Sequence, residues 1–441
     1  MNVDHSQNEI EFVLRNARES DVKFIRLWFT DILGNLKGFA ITIEDLEDAL
    51  YHGVGFDGAA IEGFARNNES DVRAFPDPST FTILPWRPQD NATARMFCDI
   101  HTPQGEPFPG DPRTILKQNL ERLAQSGYTY YVGTELEFFY FQNDDSPVLL
   151  DKDGYFDQNS GQVSGDLRRD TVLNLAQMGI PVKYSHHEVA PSQNEIDLQY
   201  TDALSMADNV VTAKLVIKEL ALAKGVYATF MPKPISGING SGMHTYQSLF
   251  KGPDNAFYSA DDPFHLSQDA KYFVAGLLKH APEITLVTNQ WINSYKRLAS
   301  GYEAPLHLSW AHVNQSDLIR IPSFKTGGEN AVRIEYRAPD PACNPYLAFS
   351  VMLAAGLKGI DGKYDLIEPG KPEISNPMVH NVPKLPSSLE EAISLAENSE
   401  LLKTTLGDNI FDRFIRNKKI ELDLYQTEVT DFEINRYLSM L

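Results

Sequence analysis

Apolar and polar residues alternate along VKFIRLWFTD (22–31), and the alternation returns in LKGFAIT (36–42) after a Gly34-Asn35 pair. This predicts two strands joined as a hairpin, because successive strand side chains point to opposite faces. Residues 7–18 before the hairpin and IEDLEDAL (43–50) after it carry helical spacing, while FTILPW (81–86) and ARMFCDI (94–100) predict two further strands. Together they form a compact, mostly β unit of roughly one hundred residues, a common domain size. GEPFPGDPR (105–113), with three prolines and two glycines, closes it.

The rest of the chain predicts a larger unit of mixed strands and helices. Helical spacing runs through TILKQNLERLAQSG (114–127), DLRRDTVLNLAQMG (166–179), ALSMADNVVTAKLVIKELALAKG (203–225), PFHLSQDAKYFVAGLLKHAPEI (263–284) and NPYLAFSVMLAAGLKGI (344–360). VGTELEFFYF (132–141) and VYATFMPKP (226–234) predict strands, and the polar, turn-rich 142–166 predicts a surface excursion. Ser387 with Glu390 forms a capping-box pattern ahead of a helix through about residue 397. The expected class is α+β, in two domains, 1–108 and 109–441.

The strand VGTELEFFYF carries a physical problem. Glu135 and Glu137 fall on one face, about 7 Å apart, and Phe139 and Phe141 continue that face. Aromatic residues seek a core, and an ionised carboxylate buried without a partner costs many kcal/mol, so something positive must face the pair. Three other segments offer related groups. SHHEVAPSQNEID (185–197) places Glu188 and Glu195 in two extended pieces around Pro191, and MPKPISGINGSGMH (231–244) is a Gly-rich loop ending at His244. AVRIEYRAPD (331–340) puts Arg333, Glu335 and Arg337 on one strand face. Each alone has an ordinary structural reading as a turn, a half-solvated pair or a salt-bridged surface. Together they supply five glutamates and one histidine, a hard oxygen set with one imidazole that suits Mg²⁺ or Mn²⁺. Two such ions satisfy buried carboxylates and bridge phosphates in phosphoryl transfer, and nearby arginines suit a substrate's anionic oxygens.

Composition narrows the partners. The formal net charge of −21, from 60 acidic against 39 basic residues, argues against nucleic acid or an anionic membrane. It allows a phosphorylated small molecule screened by metal ions and arginines. Neither a signal peptide nor a membrane-length apolar run is evident, and Cys98 and Cys343 are the two cysteines, so a reduced, cytoplasmic protein is expected.

FTDILG (29–34), FDGAAIEGF (56–64), NESD (68–71), GTELEFF (133–139), HHEVAPSQNEID (186–197), ATFMPKP (228–234), NGSGMH (239–244), NSYKRL (293–298), GYEAP (301–305), IRIP (319–322) and PDPACNPYLA (339–348) occur in this order. Through these motifs, spread over nearly the whole chain, the sequence resembles type I glutamine synthetase. The resemblance implies a small N-terminal β-grasp domain, then a catalytic domain of antiparallel strands flanked by helices. It implies ligation of ammonia to the γ-carboxylate of L-glutamate through γ-glutamyl phosphate, with ATP as co-substrate and two or more Mg²⁺ or Mn²⁺ ions per site. It also implies a homo-oligomer, a dodecamer of two stacked hexameric rings with active sites between subunits.

Residue by residue, Glu137, Glu188 and Glu195 are implied to hold one ion, and Glu135, His244 and Glu335 the other, nearer the nucleotide. Arg320 and Arg333 are implied to meet ATP phosphates, with Ser248 near the base. Asn239, Gly240, Arg297 and Arg337 are implied to hold glutamate. Glu303 is implied to close the site as a flap residue and accept a proton, and Asp57 to arrive from a neighbouring subunit. The implied ammonium pocket joins Asp57, Tyr155, Glu188 and Glu303, with Asp57 deprotonating the ammonium. The implied catalytic set is Asp57, Glu303 and Arg320.

Three positions depart from the family's usual pattern. Gln315 stands where arginine is usual over the transferring phosphoryl group, Lys183 where glutamate is usual beside the nucleotide, and Ala59-Ala60 where Ser-Ser is common. These changes also fit a γ-glutamylamine ligase of the same fold or a weakly active regulatory paralogue. The stretch 369–386 contains no tyrosine, so no adenylylation is expected there, and Arg66 matches a feedback position in some relatives.

Overall fold

The computed structural model describes residues 7–61, 71–159, 161, 163–299, 303–312, 317–323, 328–369 and 382–441. The chain is α+β. Helix α1 (Gln7–Glu19) leads into β1 (Val22–Thr30) and β2 (Leu36–Thr42), paired antiparallel across the expected turn. Helix α2 (Leu46–His52), β3 (Val54–Asp57), β4 (Asp71–Pro76), β5 (Thr82–Ile83) and β6 (Ala92–His101) follow. Among the described residues they make a six-stranded sheet in the order β2-β1-β6-β4-β3, with β5 also on β6. The central β1–β6 pair is parallel. Ile25, Leu27, Phe29, Leu46, Met96 and Ile100 fill a core between the sheet and its helices. This is the β-grasp unit.

The larger unit begins with α3 (Pro112–Gln125), whose first turn is capped by Asp111 accepting from the Arg113 and Thr114 amides. Then come β7 (Thr129–Phe141), α4 (Val163–Gln177), β8 (Val182–His187), β9 (Gln193–Asp202), α5 (Ala203–Ala223), β10 (Tyr227–Thr229), β11 (Thr245–Lys251), β12 (Asp254–Asn255) and α6 (Gln268–Thr288). Helix α7 (Ser294–Arg297), β13 (Trp310–His312), β14 (Ile319–Ile321), β15 (Ile334–Tyr336), α8 (Pro345–Gly362), α9 (Leu389–Glu397), α10 (Glu400–Thr427) and α11 (Asp431–Tyr437) complete the chain. The second sheet, nine-stranded among the described residues, runs β13-β14-β15-β11-β7-β9-β8, with β10 on β7 and β12 on β11. Only β13–β14 is parallel among its described pairs. One apolar core spans the inner sheet face and helices α3, α5, α6, α8, α9 and α10.

Several elements differ from expectation. The predicted strand over 81–86 is only Thr82–Ile83, and that over 226–234 only Tyr227–Thr229, because Pro232 and Pro234 cannot donate to a ladder. The helix expected from residue 263 starts at Gln268, where Ser267 accepts from the Ala270 amide. Ser388 caps α9, accepting from the Glu391 amide, one residue later than the Ser387–Glu390 pattern suggested. Glu391 instead reaches back to the Ser387 amide at 2.8 Å.

The small domain is fastened to the large one by a buried charge cluster. Arg113, on α3, donates to Asp77 at 2.8 Å, to Asp99 at 2.5 Å, and to both oxygens of Asp208 on α5 at 3.1 and 3.0 Å. Tyr346 on α8 donates to the same Asp208 at 2.6 Å.

Candidate active site

Strand register assembles the acidic centre. Glu137 of β7 lies opposite Glu195 of β9, and Glu135 lies opposite Asp197. On the other side, Tyr246 of β11 lies opposite Glu335 of β15, and Glu335 opposite Arg320 of β14. Like charges directly across a ladder repel, so this register calls for protons, hydrogen-bond donors or positive charge near it. Phe139 and Phe141, continuing the glutamate face, stack at 5.8 Å and form a small separate core with Ala190.

The chain supplies several such partners, His244 as a neutral imidazole among them. His244 Nδ1 lies 2.8 Å from Glu135, and its Nε2 lies 3.8 Å from Glu137. Arg320 and Arg337 each grip one oxygen of the fully buried Glu335, and Tyr246 donates to Glu135. Glu137 accepts from the Gln193 amide group and from the Gly242 backbone, both at 2.9 Å. Arg297 lies 2 % exposed and donates to the carbonyls of Ala338, Pro339 and Arg337, which braces it against the strand end.

The Gly-rich loop runs too close to its surroundings for side chains. A Cβ at Gly240 would stand 2.2 Å from the Pro232 carbonyl, and one at Gly242 would stand 2.6 Å from the Arg297 guanidinium. Asn239 of this loop donates to Glu303 at 3.0 Å, so the expected flap residue meets the expected amino-acid loop.

Two cavities share this centre. The first, about 640 Å³, is lined by Glu135, Glu137, Glu188, Glu195 and His244, and by Asn239, Gly240, Arg297, Arg320, Arg337, Glu303 and Tyr155. The second, about 530 Å³, is lined by Ser248, Arg333, Lys183, Tyr200, Tyr246 and Asp197. In it Arg333 stacks over Tyr246 at 4.9 Å, Tyr200 bonds Ser248, and the Lys183 ammonium lies 4.9 Å over Tyr184. Of the site residues named from the sequence, the fully buried Glu335 lines neither cavity, and nor does Asp57. Asp57 ends β3, accepting from the Ala59 amide at 2.9 Å. Gln315 and Arg66 lie outside the described residues, as does 370–381 of the stretch read for tyrosine.

The donor set fits divalent ions. Oxygens and imidazole nitrogen of Glu135, His244 and Glu335 lie within 4.8 Å of one another, as do groups of His186, Glu188 and Glu195, and of Glu135, Glu195 and Asp197. Asp197 was not foreseen, and its buried Oδ1 has no hydrogen-bond partner. A buried carboxyl beside Glu135 and Glu195 is relieved by a proton or by a cation. Protonation tells the same story. Burial, then the nearness of Glu188, pushes Glu137 up to about 8, against the pull of Arg297. Burial and Glu135 raise Glu195, and burial raises Asp197 to about 6. Burial and the neighbouring Arg337 hold His244 well below the usual imidazole range, leaving it neutral and able to ligate.

The model of the glutamine synthetase β-grasp domain matches residues 21–103, and that of the glutamine synthetase catalytic domain matches residues 109–437. This chain belongs to the glutamine synthetase family. A glutamine synthetase of Mycolicibacterium smegmatis is 50% identical over 441 residues, covering 98% of this chain and 99% of the relative. One from Methanosarcina mazei is 50% identical over 444 residues, covering 98% of each. A solved chain described as "GmaS/ADP complex-Conformation 1" superposes with a TM-score of 0.88 at 31% identity, over 97% of this chain and 99% of that one.

Within this glutamine synthetase fold, alternation on β7 is enough to place Glu135 and Glu137 on one face. It missed Asp197 because IDLQY reads as an ordinary strand, and only the register with β7 places that carboxylate beside Glu135. His186 and His187 stood in a quoted motif without a role. His186 Nε2 lies 2.9 Å from Glu188, and buried His187 reaches Asp151.

Proposed function

We propose that this chain ligates ammonia to the γ-carboxylate of L-glutamate at the expense of ATP, through γ-glutamyl phosphate, yielding glutamine, ADP and phosphate. The observation that carries the reading is one cavity joining a carboxylate–imidazole centre to Asn239, Gly240, Arg297, Arg337 and Glu303. The adjoining cavity of Arg333, Tyr246, Tyr200 and Ser248 offers a stacking and anion-binding surface for the nucleotide.

Glu137, Glu188 and Glu195 would hold one divalent ion, and Glu135, His244 and Glu335 the other, as Mg²⁺ or Mn²⁺. When bound, these ions neutralise the phosphate oxygens as the phosphoryl group moves. Arg320 and Arg333 orient the polyphosphate, and Arg320 stabilises the charge that develops on it. Arg337 and Arg297, with Asn239 and Gly240, seat the amino acid so that its γ-carboxylate points at the phosphoryl group. Glu303 closes over the acyl phosphate, keeps water out and accepts a proton from the attacking nitrogen. Asp57 of a neighbouring subunit, with Tyr155 and Glu188, forms an anionic pocket that attracts ammonium and takes its first proton. This division of labour needs a homo-oligomer. We place it in a cytoplasmic dodecamer of two stacked hexameric rings, with the domain boundary at 108/109. No helix among the described residues is long and apolar enough to cross a membrane.

The test measures ADP release with ATP, Mg²⁺ and glutamate, comparing ammonium with methylamine, ethanolamine and putrescine. Turnover with ammonium well above that with any amine is expected. Turnover with an amine and none with ammonium overturns the reading in favour of the amine ligase.

A further inference from the structure

The loop from β7 to α4 is tied to the acidic centre through Asp151. Asp151 Oδ1 lies 2.8 Å from the Ser192 amide and 2.9 Å from His187 Nε2. Ser192 answers with its hydroxyl, which accepts from the Leu150 and Asp151 amides at 2.8 and 3.1 Å. Ser192 is fully buried in the left-handed region at φ 65°, a conformation that a non-glycine residue holds only when its surroundings fix it.

These bonds reach both ends of the turn that presents Glu188. His187 precedes Glu188, and its other nitrogen, Nδ1, lies 2.7 Å from the Glu188 carbonyl. Ser192 closes the turn, and the Glu188 amide donates across it to Gln193 at 2.8 Å. The same loop then returns over the cavity. The Phe156 amide donates to the His187 carbonyl at 3.1 Å, and Phe156 stacks on His186 at 4.5 Å beside Tyr155. Asp151, Asp153 and His187 also lie within metal-binding distance of one another. His187 bonds the Glu188 carbonyl through Nδ1 and Asp151 through Nε2, so in this structure the two side chains brace the turn directly.

We propose that Asp151 is a positioning residue for the acceptor side of the reaction. Through His187 and Ser192 it fixes the turn carrying Glu188 and the loop carrying Tyr155 together, and so sets the shape of the ammonium pocket. The inference rests on the proposed function. Outer partners of this kind change ligand affinity or activity by about 10–100-fold when removed.

The test compares wild type, Asp151→Ala, His187→Gln and the double variant in steady-state kinetics on oligomers of verified size. Asp151→Ala should raise the KM for ammonium about tenfold at saturating Mg²⁺ while leaving the KM for ATP within about twofold. His187→Gln should do the same, and the double variant should be no worse than either single, because the two act as one unit. Asp151→Asn keeps an acceptor oxygen at the same place and should lie within about threefold of wild type. A purely structural role would lower kcat through a smaller active fraction and leave both KM values unchanged, and that result overturns the proposal. Multiplying effects in the double variant, or an Asp151→Asn enzyme as impaired as Asp151→Ala, overturns it as well. Where Asp151→Ala does not assemble, His187→Gln with Asp151→Asn decides by the same KM comparison. A wild type without ammonium turnover refutes the proposed function itself, a separate outcome.

Discussion

Glu335 has no exposed surface, yet two guanidinium groups and an imidazole surround it. Its charge is what keeps Arg320 and Arg337 inside the sheet and aimed along the cavity. Glu335→Gln keeps the volume and removes the charge. It should cut kcat/KM by about a hundredfold or more, with the half-saturating Mg²⁺ concentration rising, both read from ADP release. A variant within threefold of wild type would show that Glu335 only packs. Glu137 gives a second prediction at this scale. Its carboxyl, raised from 4.5 to about 8 in the metal-free fold, stabilises that fold fully below about 4.5 and loses this contribution as pH rises through about 8. An ion must displace that proton, so binding should tighten with pH. The rise in Tm on adding Mg²⁺ should therefore be larger at pH 8.5 than at pH 6, and an equal rise would contradict the assignment. The sequence shows that Glu135 and Glu137 share a face, because period-2 alternation is a local property. It does not show that Arg297 would spend its donors on the carbonyls of residues 337–339, which depends on how distant segments dock.

At the scale of elements, α3 is the joint of the molecule. Its Arg113 is buried between carboxylates from the small domain and from α5, and despite burial those of Asp77 and Asp99 are held below their ordinary range by that guanidinium. Arg113→Ala leaves three acidic side chains facing one another without their cation. It should cost about 3–5 kcal/mol in denaturant unfolding, the usual penalty for breaking a buried ion pair. A loss below 1 kcal/mol would mean that water or Lys117 replaces the arginine. The Pro- and Gly-rich 105–113 reads as a boundary, but nothing local marks Arg113 as a clasp. Asp208 is 95 residues away and is found only once α3 and α5 are packed. The same limit explains the strands. Alternating runs such as β1, β2, β7 and the stretch holding β15 are legible, whereas β13 and β14, three residues each, are held by neighbours more than by pattern. The 28-residue α10 carries no continuous helical period in its sequence. Gly407, at φ 72° inside it, breaks the helical geometry and with it the periodic signal.

For the whole molecule, the decisive fact is where Asp57 lies. It ends a strand of the small domain, and the residues lining the catalytic cavity, Glu135 through Arg337, all come from the large one. If a neighbouring subunit supplies Asp57, each site needs Glu137 from one chain and Asp57 from the next. Asp57→Ala and Glu137→Ala oligomers should then each be inactive when pure. Dissociated, mixed in equal amounts and reassembled, they should recover activity, because a site formed by chance has both intact residues in about a quarter of cases. Recovery near one quarter of wild-type turnover per site, seen only after reassembly, is the expected result. If a single chain supplied both residues, no hybrid would contain an intact site, and mixing would restore nothing.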